Sequence, residues 1–459
     1  MYRKALEYLL EWKKRGSRKP LVIRGARQVG KTYLVRELGK KFASILEINF
    51  DRNPEKAELF ASRDAAKIVR LLEVDANAEV IPGKTLIFLD EIQAVPDLLP
   101  VLRYFHEELP EIHLIAAGSL LDFVLSDHDF PMPVGRVEYL HLGPLDFEEF
   151  LAAVGEARLL EFLRNYSPIE SMPAPFHGKL LQLLRDFFIV GGMPSGIRAY
   201  LDSGKITEAN REQQSIIQTF EDDFGKYCRR CDPILLRKTF RMLPALLGCK
   251  VKYSRIDPGA KAKAVSDCIH LLELARIVFR VSHSSGNGIP LGAEADSRDF
   301  KLLFLDIGLA VSMLGLNSRV LTGSESIMLI NSGAIAEQFV GQHLAYSGEA
   351  YETPGLHYWN REKKSSSAEV DFLIQSGNKV VPVEVKAGKT GSLRSLQVFL
   401  HEKKADFAVR FNTDFPSTGE FRTSIPGAEQ RCYRLLSLPL YLICQAQRLI
   451  ERENATATT

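Results

Sequence analysis

The chain has 459 residues, more than one ordinary domain holds and enough for about three at roughly 150 residues each. Hydrophobic residues make up 46% and charged residues 25%, ordinary for a globular protein, which excludes disorder, collagen and long coiled coils. Fifty-nine Lys+Arg against 57 Asp+Glu leave +2, which excludes a globally basic nucleic-acid coat but leaves room for a local basic groove.

Residues 1–20 are interrupted by charge every few positions, so they read as an amphipathic helix and lack the apolar centre of a signal peptide. The longest apolar stretch, residues 112–124, contains Gly118, Ser119 and Asp122, too short and too broken to span a membrane. Six cysteines and no secretion signal point to a reducing cytoplasm.

Leu21-Val22-Ile23 reads as a short buried strand, residues 33–41 as a helix, and Gly25-Ala26-Arg27-Gln28-Val29-Gly30-Lys31-Thr32 lies between them. This fits the phosphate-loop pattern G-x-x-x-x-G-K-[ST] in its required strand–turn–helix context. Glycines let backbone N–H groups close on phosphates, Lys31 reaches the terminal ones, and Thr32 offers a hydroxyl to magnesium. ATP and Mg2+ are the implied ligands.

Leu86-Ile87-Phe88-Leu89 is a continuous apolar run, the mark of a parallel strand covered on both faces, and Asp90-Glu91 emerge at its carboxyl end. Alone, the pair reads as two solvated acids. After a full phosphate loop, Asp90 is assigned to the metal and Glu91 to polarising the attacking water.

Residues 112–119 form another buried strand. Ser119 at its end reads as a sensor of the terminal phosphate or as an N-cap for a helix over 120–125, two compatible roles. Arg136, at the entrance to an alternating strand, has three readings: a finger on a neighbour's nucleotide, a sensor of its own, or a surface ion pair. The first would make the protein a homo-oligomer.

The phosphate loop, Phe88-Leu89-Asp90-Glu91-Ile92-Gln93, Ala117-Gly118-Ser119 and the string over 134–150 resemble AAA-type ATPases of bacteria and archaea. The C-terminal half of those proteins is a domain of unassigned function related to restriction endonucleases. The resemblance extends along nearly the whole chain through Gly191-Gly192-Met193-Pro194 and Phe304-Leu305-Asp306-Ile307-Gly308-Leu309. It implies an α/β multidomain protein whose P-loop AAA-type parallel sheet carries a helical lid.

Residues 145–226 have helical apolar spacing, as a lid requires. Residues 235–314 alternate helices with a hairpin expected across 275–291, a succession that resembles a winged helix. Lys250, Lys252, Arg255, Lys261 and Lys263 form a basic run, either a DNA-phosphate contact or a solvated face. Cys228 and Cys231 form a lone C-x-x-C without the second pair that a zinc site needs.

The last segment carries Glu337 on a helix, then two strands around Ser376-Gly377-Asn378. A two-residue turn at Gly377-Asn378 places Asp371 opposite Glu384 and Lys386 on the same face. Two adjacent carboxylates and a lysine can hold magnesium or manganese and orient a water for phosphodiester cleavage, or they are a polar strand face and nothing more. Asp371, Glu384 and Lys386 match the PD-(D/E)xK nuclease motif, except that Val370 stands where that name has proline. By this resemblance Glu337 on the preceding helix and Gln397 on the following one are outer members, and the domain is restriction-endonuclease-like.

The expected boundaries are an ATPase domain over 1–145, a lid over 146–226, a winged-helix-like segment over 227–325 and a nuclease-like domain over 326–459. Two functions fit. One is ATP hydrolysis coupled to a metal-dependent nuclease acting on or binding DNA. The other is an ATP-controlled switch docking to DNA or a protein, with an inert nuclease-like domain.

Overall fold

The computed structural model describes residues 1–123, 135–168, 170–227, 231–316, 332–361, 368–388 and 392–456. The chain forms two compact units. The first comprises Met1–Pro144 with Leu274–Ile277 and Gly348–Thr353, and the second holds the remainder.

The first unit is built on five parallel strands: β1 (Leu21–Arg24), β2 (Ser44–Asn49), β3 (Thr85–Asp90), β4 (His113–Gly118) and β5 (Glu138–His141), in the order β2-β3-β4-β1-β5. β3 and β4 are buried along their whole length, which is why their sequences run apolar without alternation. Helices Lys31–Gly39, Ala65–Ala76 and Leu102–Glu108 alternate with the strands, as parallel connections require. Asp64 caps the second of these by accepting from Lys67 N–H. Arg276 ties the Leu274–Ile277 segment to this unit, its Nε 2.6 Å from Asp122, which also holds Arg24 at 3.1 Å.

The second unit opens with helices Phe147–Ala153, Ala157–Asn165, Ala174–Val190, Pro194–Ser203 and Ile206–Tyr227. Its sheet has eight strands: β6 (Val278–Ser284), β7 (Ala295–Phe304), β8 (Leu356–Asn360), β9 (Glu369–Ser376), β10 (Lys379–Val385), β11 (Phe407–Asn412), β12 (Ser417–Arg422) and β13 (Cys432–Pro439). Their order is β12-β13-β11-β10-β9-β8-β6-β7.

Of the hairpin expected across 275–291 only the first strand, β6, lies in that range; its antiparallel partner β7 follows at Ala295–Phe304, and the pair extends the C-terminal sheet instead of standing apart as a wing. β6 pairs in parallel with β8 from Val281↔Leu356 to His283↔Tyr358, which satisfies an edge that would otherwise present unpaired donors and acceptors. The four expected segments thus appear as two compact units. Cys228 lies outside the described residues, and Cys231 is disulfide-bonded.

The two later strings that carry the resemblance meet in this unit. Asp306 is buried, accepting from Gly192 N–H at 2.6 Å and Leu309 N–H at 3.0 Å. A Cβ on Gly191 would stand 2.3 Å from Asp306 Oδ1, and its φ of +70° also calls for glycine. These residues are structural.

Candidate nucleotide site and a C-terminal carboxylate cluster

β1 ends at Arg24, and the loop Gly25–Gly30 turns directly into the helix that begins at Lys31. Gly25 passes so close to β5's continuation that a Cβ there would stand 2.3 Å from Leu142 O. Gly30 holds φ +95° as the residue before the helix. Ala26 and Val29 are buried anchors, whereas Gln28, exposed at the tip, adopts a left-handed φ of 66°. Arg3 fixes the loop from outside by donating to Val29 O at 2.9 Å and Gly143 O at 2.8 Å.

The Lys31 ammonium donates to two loop carbonyls, Gly25 O at 3.0 Å and Ala26 O at 2.8 Å. Burial pushes it down to about 8, against the pull of Glu91 and Asp90. Thr32 Oγ1 donates to Asp90 Oδ2 at 3.1 Å, joining the helix start to the end of β3. Asn49, opposite Asp90 in the β2–β3 register, donates to the same oxygen at 3.2 Å. Burial first, then Glu91, raises the Asp90 carboxyl above its ordinary value. A hydroxyl and a carboxylate beside a backbone cradle with a buried ammonium are the donors Mg-ATP requires, so the site fits that ligand.

Glu91 follows in a left-handed conformation, φ 53°, which turns the chain out of the strand. Gln93 Nε2 donates to Glu91 Oε2 at 2.5 Å. Gln93 also lies against Gly118, where a Cβ would come within 2.3 Å of its Oε1. Ser119, next in the chain, is buried; the helical turn after it starts at Leu121, and residues 124–125 lie outside the described residues.

Arg136 is not brought to this site. β5 pairs with β1 in parallel from Leu21↔Glu138 to Arg24↔His141, so Arg136 precedes the amino end of β5 while the phosphate loop leaves the carboxyl end of β1. Its Nε pairs with Glu107 at 2.8 Å. This corrects the reading of Arg136 as a sensor of its own nucleotide. Asn49, Gln93 and Arg3 carry no sequence signal strong enough to find them; Gln93 lies within a quoted string but is one polar residue in a loop.

In the second unit the β9–β10 register runs from Lys379↔Ser376 to Val383↔Phe372, the register expected from a turn at Gly377-Asn378. The ladder ends there because Asp371 Oδ2 takes the Val385 N–H at 2.7 Å. Lys386 Nζ lies 2.5 Å from Glu384 Oε1. Val370, Phe372 and Val383 are buried on the opposite face. Glu337, on the helix Ser332–Ala345, is buried in the same cluster. Gln397 is not directed there: its Oε1 accepts from Ser424 N–H at 3.0 Å.

The cluster contains a residue that the sequence reading did not single out. Lys301, on β7 and 2% exposed, places its Nζ 2.9 Å from Glu337 Oε1 and 2.5 Å from Glu369 Oε1. Burial alone would depress this ammonium, but Glu337, Asp371 and Glu369 hold it above the ordinary lysine value. Burial, then Asp371, pushes Glu384 up to about 8. Burial likewise pushes Glu337 up to about 7, against Lys301, and raises Asp371. Among the described residues no three His, Cys, Asp or Glu side chains converge as a metal-holding group. With Lys301 and Lys386 on the carboxylates, this donor set does not fit a divalent ion.

Residues 17–151 match the family model described as an AAA domain, residues 181–320 a domain of unknown function (DUF8612), and residues 332–425 another (DUF4143). No curated protein matches the chain. Among solved structures, the chain is similar to the Walker-type ATPase PABY2304 of Pyrococcus abyssi at 16% identity and TM-score 0.42, covering 68% of this chain and 95% of that one. The ORC2 protein of Aeropyrum pernix, in ADPNP–ADP complexes, matches at 12% and 0.34, over 70% and 92%. The ORC1 protein of Aeropyrum pernix, in complex with DNA, matches at 14% and 0.27, over 68% and 91%. The family match and the loop make the first unit an AAA-type P-loop ATPase domain. Among the described residues no helix is long and apolar enough to cross a membrane.

Proposed function

We propose that the protein is an ATP-hydrolysing switch whose second unit docks to DNA without cutting it. The convergence of Lys31, Thr32, Asp90 and Glu91 carries the first half of this reading. In it, the loop backbone and Lys31 bind the phosphates, Thr32 and Asp90 hold Mg2+ and its water shell, and Glu91 takes the proton of the attacking water. Mg2+ supplies charge neutralisation on the β and γ phosphates. Ser119 faces the terminal phosphate.

DNA is the partner supported by the second unit's basic run. Lys252, Arg255, Lys261 and Lys263 are exposed and pair with no carboxylate among the described residues, whereas Lys250 is committed to Asp299 at 2.6 Å. Unpaired surface cations over a dozen residues suit a phosphate backbone. The absence of cutting is supported by Lys301, whose ammonium already sits among the acids a metal would need.

ATP turnover and DNA anisotropy on wild type and Lys31→Ala test this reading. It predicts turnover and ATP-sensitive DNA binding in wild type, both lost in the variant, and intact DNA after long incubation with Mg2+ or Mn2+. Cleavage that is lost in Asp371→Asn would instead establish the nuclease function.

A further inference from the structure

The strands that carry the acidic cluster are not neighbours of the strand that carries Lys301. β7 and β9 are separated in the sheet by β6 and β8. Lying flat, they would be about 14 Å apart at the usual strand spacing. Sheet twist and curl bring them close enough for Lys301 Nζ to reach Glu369. The same nitrogen bonds Glu337 on the helix Ser332–Ala345 and stands 5.2 Å from the ring centre of Tyr358 on β8. Three strands and a helix therefore converge on one buried ammonium.

Each carboxylate that the nuclease motif would offer to a metal is already engaged. Glu337 Oε1 accepts from Lys301, Asp371 Oδ2 accepts from the backbone of Val385, and Glu384 Oε1 accepts from Lys386. Glu384 Oε2 is a buried oxygen without a partner. A divalent ion, which needs several oxygens at close to 2 Å, would have to displace the Lys301 and Lys386 ammoniums and the Val385 N–H from these carboxylates. The Lys301 ammonium is bonded to two carboxylates on a residue only 2% exposed.

We propose that the Lys301 ammonium takes the place of a divalent cation among Glu337, Glu369 and Asp371, so that this cluster is an ion-paired brace holding no metal. The inference deepens the non-cutting reading of the second unit and rests on it. The brace joins the β6–β7 hairpin to the strands that carry the acids. Removing the ammonium without shortening the side chain uncovers a site that an incoming cation then fills.

Mn2+ binding to the nucleotide-free full chain, followed by electron paramagnetic resonance, tests this on wild type, Asp371→Asn, Lys301→Met and the Lys301→Met/Asp371→Asn double variant. Wild type and Asp371→Asn are expected to bind Mn2+ equally weakly. Lys301→Met should gain a site about tenfold tighter or better, lost again in the double variant. A wild-type site that disappears in Asp371→Asn overturns the inference, as does a folded Lys301→Met that binds no better than wild type. Should Lys301→Met not fold, wild type against Asp371→Asn decides: equal binding upholds the brace and a lost site overturns it. Failure of the switch reading is separately visible, because ATP turnover and DNA binding of wild type are measured without reference to Lys301.

Discussion

Gln93 holds Glu91 by a 2.5 Å hydrogen bond while lying across Gly118. The residue assigned to the attacking water is thus aimed by a neighbour that needs a glycine beneath it. Gln93→Leu should lower the rate of ATP hydrolysis about tenfold or more while leaving ATP affinity within about twofold, because orientation of the base and not phosphate binding is lost. Gly118→Ala should show the same split, since a Cβ there would stand 2.3 Å from Gln93 Oε1. A change in affinity alone would contradict the assignment.

Lys31 gives nucleotide binding a pH dependence. Its buried ammonium loses its proton near pH 8 in the free protein, and triphosphate binding restores the proton by adding negative charge beside it. ATP affinity is therefore flat below about pH 8 and falls with a slope approaching tenfold per unit above it. Titration with a fluorescent ATP analogue from pH 6.5 to 9.5 measures this directly. Lys31→Met should bind about a hundredfold more weakly or worse and lose the slope.

The acids of the second unit have the opposite consequence for stability. Burial raises Glu384 from 4.5 to about 8, so the folded state holds a proton that the unfolded chain releases. The associated stability is fully present below about pH 4.5 and is lost as pH rises through about 8. Unfolding midpoints should fall between about pH 6 and pH 9, and Glu384→Gln, which cannot ionise, should flatten that fall. An identical decline in the variant would assign the slope to other groups.

Lys261 and Lys263 stand exposed at the start of the helix Ala262–Leu274, in the basic run proposed to contact DNA. Replacing both with Ala should weaken DNA binding similarly for all sequences and reduce the salt slope by about two, at ~0.9 per phosphate contact. An unchanged slope would remove this run from the interface.

The phosphate loop and the end of β3 were legible because their chemistry is local: strand, turn and helix adjoin in sequence, and Asp90 ends a run too apolar to lie on a surface. The hairpin register was legible for the same reason, since a two-residue turn fixes every pair after it. Lys301 was not, because its partners Glu337 and Glu369 are distant in sequence and three strand steps away in the sheet for β9, and only sheet curvature brings them together. The β6–β7 hairpin looked like a wing because pairing with β8 leaves no trace within its own residues. Three readings of Arg136 stayed open in the sequence because only the parallel pairing, which sets it before the amino end of β5, and its ion pair with Glu107 separate them.

In the proposed switch, nucleotide state governs DNA binding. The most direct measurement is DNA anisotropy with Glu91→Gln, which retains Lys31, Thr32 and Asp90 and so binds ATP without turning it over, compared in saturating ATP and saturating ADP. The two affinities are predicted to differ about fivefold or more, the lower end of ordinary coupling between sites. Equal affinities in ATP and ADP would contradict the switch.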